Sequence, residues 1–124
     1  GYSFYNYLKK KNFKIYGTYN SKINIGEFDT SKIVLKKINL EKNQKNLLAW
    51  VKKIRPHYIV DFASICMVNE SWIYPKKYFL VNFYSKIELL KFISTKNFLK
   101  KFVYISTPEV LNATDIFAKT DCGT

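Results

Sequence analysis

What most constrains the fold is an alternation of two periodicities along 124 residues. Short apolar runs alternate with longer segments that repeat every three to four positions. Tyr58-Ile59-Val60-Asp61-Phe62-Ala63 is short and apolar, the kind of strand buried in parallel sheets. Phe13 to Tyr19, Ile33 to Ile38 and Phe102 to Ile105 also read as strands. Residues 2–11 read as an amphipathic helix carrying Tyr2, Phe4, Tyr5, Tyr7 and Leu8. It ends on Lys9-Lys10-Lys11, cations that suit the negative end of the helix dipole. Residues 43–54 carry Leu47, Leu48, Trp50, Val51 and Ile54 at helical spacing, with Asn43 as candidate N-cap and Arg55-Pro56 as the stop. Residues 76–95 predict one long helix with Phe79, Leu80, Phe83, Ile87, Leu90 and Ile93 inward. Residues 20–31 and the stretch through Pro75 read as loops, and 108–124 show no periodicity.

The order α-β-β-α-β-α-β predicts a doubly wound parallel α/β sheet with right-handed crossovers. Ligands of such sheets bind at the carboxyl ends of the strands. The residues to watch are therefore Tyr19-Asn20-Ser21, Asn39-Leu40, Phe62-Ala63-Ser64 and Ser106-Thr107.

Composition narrows the class. Hydrophobic residues make up 48% and charged residues 24%, a globular balance. No apolar run approaches the roughly 20 residues of a membrane span. Lys and Arg total 21 against nine acidic residues, a net +12 that first raises nucleic acid as a partner. Arg55 is the sole arginine, however, and the lysines are spread along the whole chain. Arg is the main residue for bidentate base and phosphate contacts, so the charge reads as solvated surface lysine. Cys66, Cys122 and His57 have no metal-ligand spacing, which argues against zinc. Two distant cysteines without a signal segment point to a reduced, cytoplasmic protein.

Two segments carry chemistry. Tyr104-Ile105-Ser106-Thr107-Pro108-Glu109-Val110 sets two hydroxyls and a carboxylate just past a strand. A hydroxyl there can hydrogen-bond a sugar oxygen that is becoming a carbonyl, and a nearby carboxylate can take a proton from carbon. The same residues also suit a Ser/Thr turn that closes the strand. Phe62-Ala63-Ser64-Ile65-Cys66-Met67-Val68-Asn69-Glu70-Ser71 ends another strand on small residues, which lets a cofactor approach the backbone. It also suits an ordinary strand-to-helix loop.

Taken in order, these segments resemble the extended short-chain dehydrogenase/reductase family, in its nucleotide-sugar epimerase and dehydratase branch. The family pattern "STxEVYG" stands here as "STPEVLN", and "(L/F)AAxxxVxxS" as "FASICMVNES". Pro75 and "VNFYSK" follow where the family has Pro and "xNxxGT", and "KKNFKIYGTYN" looks like its second strand. The resemblance implies a Rossmann-like sheet and NAD or NADP as cofactor. It implies a nucleotide-sugar substrate and a homodimeric parent enzyme. Thr107 matches the residue that polarises the sugar oxygen, and Glu109 the base of dehydratases. Gly1, Tyr19, Asn20, Ser21, Asn39, Leu40, Phe62, Ala63, Ser64, Asn82 and Ser106 match cofactor-facing positions. Cys66 and Met67 lie where substrate contacts occur.

The departures matter as well. Tyr19 stands where NAD-preferring members have an acid, which leaves NADP open. Pro108 stands where some dehydratases have an aspartic acid, and Leu111-Asn112 replace Tyr-Gly. Of the glycine-rich turn only Gly1 has a counterpart, and Tyr5-x-x-x-Lys9 matches the catalytic Tyr/Lys string by chance within the first helix. The expectation is therefore a 1–124 fragment of an NAD(P)-binding domain, lacking the first strand and the substrate lobe. Such a piece is expected to be inactive alone and to expose strand edges that promote association. The reading from a different class is a non-catalytic nucleotide-binding remnant or a basic nucleic-acid-binding module.

Overall fold

Four short strands form two parallel pairs. The computed structural model describes residues 1–20 and 29–106. Strand β1 (Ile15–Tyr19) pairs with β2 (Ile33–Lys37), in register from Ile15 opposite Ile33 to Tyr19 opposite Lys37. Strand β3 (Tyr58–Asp61) pairs with β4 (Lys101–Tyr104), from Tyr58 opposite Lys101 to Asp61 opposite Tyr104. Mixed α/β character and parallel pairing agree with the sequence. The single continuous sheet does not form among the described residues: no strand joins β1–β2 to β3–β4. Each pair therefore keeps unpartnered edges there. Gly17 lets the first pair close up, since a Cβ on it would lie 2.9 Å from Ile33 Cδ1 and 3.0 Å from Leu35 Cδ2.

Helix α1 (Tyr2–Leu8) is shorter than its lysine-rich tail suggested and buries Tyr5. Its end is tied to the segment before β2. Lys9 Nζ sits 3.2 Å from Asp29 Oδ2, and the Lys32 N–H donates to the Tyr5 hydroxyl at 3.4 Å. Ser31 N–H donates to Asp29 Oδ1 at 2.9 Å. Hydrogen bonds from Ser31, with Lys9 beside them, bring the Asp29 carboxyl down to about 2.

Helix α2 (Gln44–Ile54) follows Asn43, but the Asn43 side chain makes no capping bond. Asn39 closes the turn before it instead, its Oδ1 accepting from Glu41 N–H at 2.9 Å and Lys42 N–H at 3.1 Å. Arg55 ends α2 in the left-handed region at φ 47, its N–H donating to the Val51 carbonyl at 2.9 Å. The following Pro56 disfavours a further helical residue at that point.

Two corrections concern the crossover from β3 to β4. The loop before Pro75 contains a short helix, α3 (Val68–Ile73). The long helix is three consecutive pieces: α4 (Pro75–Phe79), a π turn (Leu80–Tyr84) and α5 (Ser85–Ile93). A π turn holds an extra residue, so the helix beyond it presents a different face. Ser85, Lys86, Leu89 and Ile93 are the buried side chains of α5. Phe79 and Phe83, expected inward, are each 54% exposed, and Ile87 and Leu90 are exposed too.

The core forms where α2 and α5 meet over β3–β4. Val51, Leu89 and Ile93 are buried at its centre, with Leu47, Leu48, Ile59, Phe92, Phe98, Leu99 and Phe102 packed around them. Trp50 of α2 reaches β1, its ring edge-on to Tyr16 at 5.9 Å. Phe4 of α1 meets Phe62 past β3 at 5.7 Å.

Leu89→Ala is expected to cost about 2–5 kcal/mol, as deep leucine truncations do. Leu90→Ala should cost under about 0.5 kcal/mol, as surface changes do. Urea unfolding of the two variants checks this, and equal losses would refute the assigned helix face. A carbon-detected titration should find Asp29 half-protonated near pH 2. Its folded value lies below the ordinary 3.8, so its contribution is complete above that pH and vanishes as pH falls through about 2.

Candidate functional site

Because each pair is parallel, its strands end together. At the end of β1, the Tyr19 carbonyl accepts from Ile38 N–H at 2.9 Å and Asn20 is exposed. At the end of β2, Ile38 is buried and Asn39 and Leu40 are half-buried. Asn39 spends its amide oxygen on the turn into α2, which leaves its Nδ2 group without a partner among the described residues. Gly1 sits directly before α1, and a Cβ there would meet nothing within 4 Å. Ser106, past β4, is exposed. Ser21, Thr107 and Glu109 lie outside the described residues.

The end of β3 is the most organised part. Asp61 closes the strand and is only 7% exposed. Its Oδ1 accepts from Ala63 N–H at 2.8 Å, and its Oδ2 lies 2.7 Å from Lys86 Nζ. Lys86, 8% exposed, also donates to the Ala63 carbonyl and lies 5.8 Å from the centre of the Tyr104 ring. One turn earlier, Asn82 grips Ile65. Its Oδ1 accepts from Ile65 N–H at 2.9 Å and its Nδ2 donates to the Ile65 carbonyl at 2.7 Å. Both ends of the Asn82 amide are thus committed to the backbone. Asn82, which the resemblance places near the cofactor, thus holds the strand-end segment.

Between these grips the remaining candidates are open. Phe62, Ser64, Cys66 and Met67 are exposed, and Ala63 is half-buried. Ser64 N–H donates to the Phe62 carbonyl at 3.0 Å, which bends the chain at Ala63. The Met67 carbonyl accepts from the Tyr78 hydroxyl at 2.7 Å, joining α3 to α4. Partial burial and the charge of Glu70 push the Tyr78 hydroxyl above its ordinary value.

Sequence reading missed Asp61 and Lys86. The available signal was a carboxylate inside an otherwise apolar strand, which needs a cation or a protonated state once buried. A separate open groove of about 510 Å³ lies along α1, lined by Tyr2, Asn6, Tyr7, Lys9 and Lys10. It gathers none of the strand-end residues. Among the described residues no helix is long and apolar enough to cross a membrane.

Past β3 the arrangement leaves Phe62, Ser64, Cys66 and Met67 exposed, with the backbone of Ala63 and Ile65 held by Asp61, Lys86 and Asn82. The family model described as GDP-mannose 4,6 dehydratase matches residues 1–113, which takes in all four strand ends. A direct comparison with curated proteins finds none that matches.

Asn82→Ala should free Ile65. Amide exchange at Ile65 is expected to accelerate while Leu89 and Ile93 keep their protection. An unchanged Ile65 amide would show that the Asn82 contact does not hold the segment.

Proposed function

The chain belongs to the GDP-mannose 4,6 dehydratase family, and from that premise we propose that it supplies the cofactor-side half of a nucleotide-sugar dehydratase. The observation that carries this reading is the match itself. It runs through Ser106-Thr107-Pro108-Glu109, the segment that follows β4. Dehydration is favoured over simple epimerisation because Glu109 supplies a base, which epimerisation at one carbon does not need.

Residues present suit a dinucleotide. Ala63 and Ser64 are small enough for a ribose to approach the end of β3, and Asn39 retains a free amide donor among the described residues. Gly1, Tyr19, Asn20, Ser21, Leu40, Phe62 and Ser106 complete the proposed cofactor edge. NAD or NADP, when bound, supplies the hydride acceptor and donor for the sugar. Thr107 donates a hydrogen bond to the sugar oxygen undergoing oxidation, and Glu109 removes the proton from the carbon beside the new carbonyl. Cys66 and Met67 face the sugar. Pro108 cannot donate a proton, so the departing hydroxyl takes its proton from another group.

We further read residues 1–124 as part of a longer enzyme that works as a homodimer in the cytoplasm. The exposure of Phe79, Phe83, Ile87 and Leu90 along α4–α5 supports pairing, since large apolar side chains left in water favour a partner. The separation of β1–β2 from β3–β4 fits a further strand between them.

Reading the coding sequence on both sides tests this. A glycine-rich strand upstream and Tyr-x-x-x-Lys downstream are expected, and stop codons at both ends would overturn the proposal. In the enzyme so defined, Glu109→Gln should lower dehydration by about 10²–10⁴-fold with dinucleotide affinity unchanged. Loss of water from a nucleoside-diphosphate hexose, followed by mass spectrometry, is the readout.

A further inference from the structure

The Asp61–Lys86 pair is the buried ion pair among the described residues. The Lys9–Asp29 and Lys77–Glu70 pairs are far more open to solvent, with side chains 28–52% exposed against 7–10% for Asp61 and Lys86. Burying two charges costs several kcal/mol per ion before their attraction is counted, and apolar replacements often do as well. Stability alone therefore gives no reason for the pair. Geometry does. Ala63 is held at both backbone groups, its N–H by Asp61 and its carbonyl by Lys86. Two residues on, Ile65 is held at both backbone groups by Asn82.

The order of the grips matches: Asn82 precedes Lys86 on the helix, and Ile65 follows Ala63 along the chain. The helix runs opposite to the segment, so Asn82 meets Ile65 and Lys86 meets Ala63. Side chains of the helix thereby stand in for the backbone of a neighbouring strand and hold the chain in position beyond the last ladder pair. The residues between and beside the grips, Phe62, Ser64 and Cys66, are left exposed.

We propose that Lys86, acting through Asp61 and Ala63, is a positioning residue that fixes the Ala63–Ser64 peptide where a dinucleotide meets it. The contact with the dinucleotide rests on the function proposed above; the fixing of the peptide does not. Nothing in the sequence resemblance assigns either residue a role, since "VNFYSK" ends in Ser-Lys where the family has Gly-Thr.

The test uses the full chain bearing Asp61→Asn with Lys86→Met. The amide replacing Asp61 still accepts from Ala63 N–H, and no charge is left buried alone. Lys86→Met by itself serves as the harsher second variant. The Ser64 amide belongs to the same peptide group as the Ala63 carbonyl. Its exchange is expected to accelerate about tenfold or more, as local opening becomes easier, with Leu89 and Ile93 protection unchanged. NADPH affinity, read by its fluorescence, should fall about tenfold, as losses of orientation do. Unchanged Ser64 exchange in the double variant would overturn the proposal. Faster Ser64 exchange in a protein whose wild type binds neither NADH nor NADPH would uphold the positioning role and refute the cofactor reading instead. Faster exchange with unaltered NADPH affinity would overturn the claim that this peptide meets the dinucleotide.

Discussion

Asp61 and Lys86 lie almost wholly out of water, and charges there are tolerated only where an opposite charge and hydrogen bonds meet them. The rest of the site depends on that meeting. It requires α5 to run beside the end of β3, which in turn requires the α2–α5 core to be packed over β3–β4. It also requires Ala63 to bend back toward Asp61. Helix placement, strand end and loop conformation are thus one condition seen from three sides. The Tyr104 ring extends the condition to β4, because it borders the same ammonium group.

For the function proposed, the consequence is a division of labour between hydrogen-bonded backing and open face. Sugar-nucleotide chemistry asks a protein to hold a long, polar ligand while moving a hydride and protons over short distances. Preorganised supports serve this better than many direct contacts. Here Asn82 bonds backbone, Lys86 bonds backbone and the Asp61 carboxylate, and Ser64 between the supported residues is left exposed. Among the described residues, the hydrogen bonds at the end of β3 draw on Lys86 and no other lysine. Several of the others lie over aromatic rings, as Lys36 does over Trp50 and Lys14 over Tyr16, where their stems cover apolar surface.

Strand positions, parallel pairing and the helix over 44–54 were legible in the sequence because each rests on local pattern. Tyr58 to Asp61 is apolar enough to read as a strand in any context. The failures have a common cause. Which face of the 75–93 helix turns inward depends on an extra residue in its hydrogen-bond ladder, and Leu80 to Tyr84 carries no local mark of a π turn. Apolar spacing then favoured Phe79, Phe83, Ile87 and Leu90 beside Ile93; Ile93 is buried as expected, but the others are exposed and burial goes to Ser85, Lys86 and Leu89. Residues 68–73 escaped notice because a six-residue helix is barely two turns of pattern. Asn43 looked like the cap of α2, yet Asn39 closes that turn, because capping depends on loop conformation as well as residue type. Asn82 was legible as a site residue, but its hold on Ile65 was not, since which partner an amide chooses is set by packing.

The π turn also fixes how this region can change over generations. An α-helix advances about 100° per residue. Loss of Phe83 or Tyr84 would let the helix close into regular α geometry and swing Lys86 by that angle relative to Asn82. A shift of that size takes the ammonium away from Asp61 and brings an apolar side chain toward the carboxylate. Substitutions within the turn leave the count intact. Apart from Asn82, the segment is therefore open to drift in sequence but closed to drift in length, so among descendants of this chain its residue number should outlast most of its residue identities.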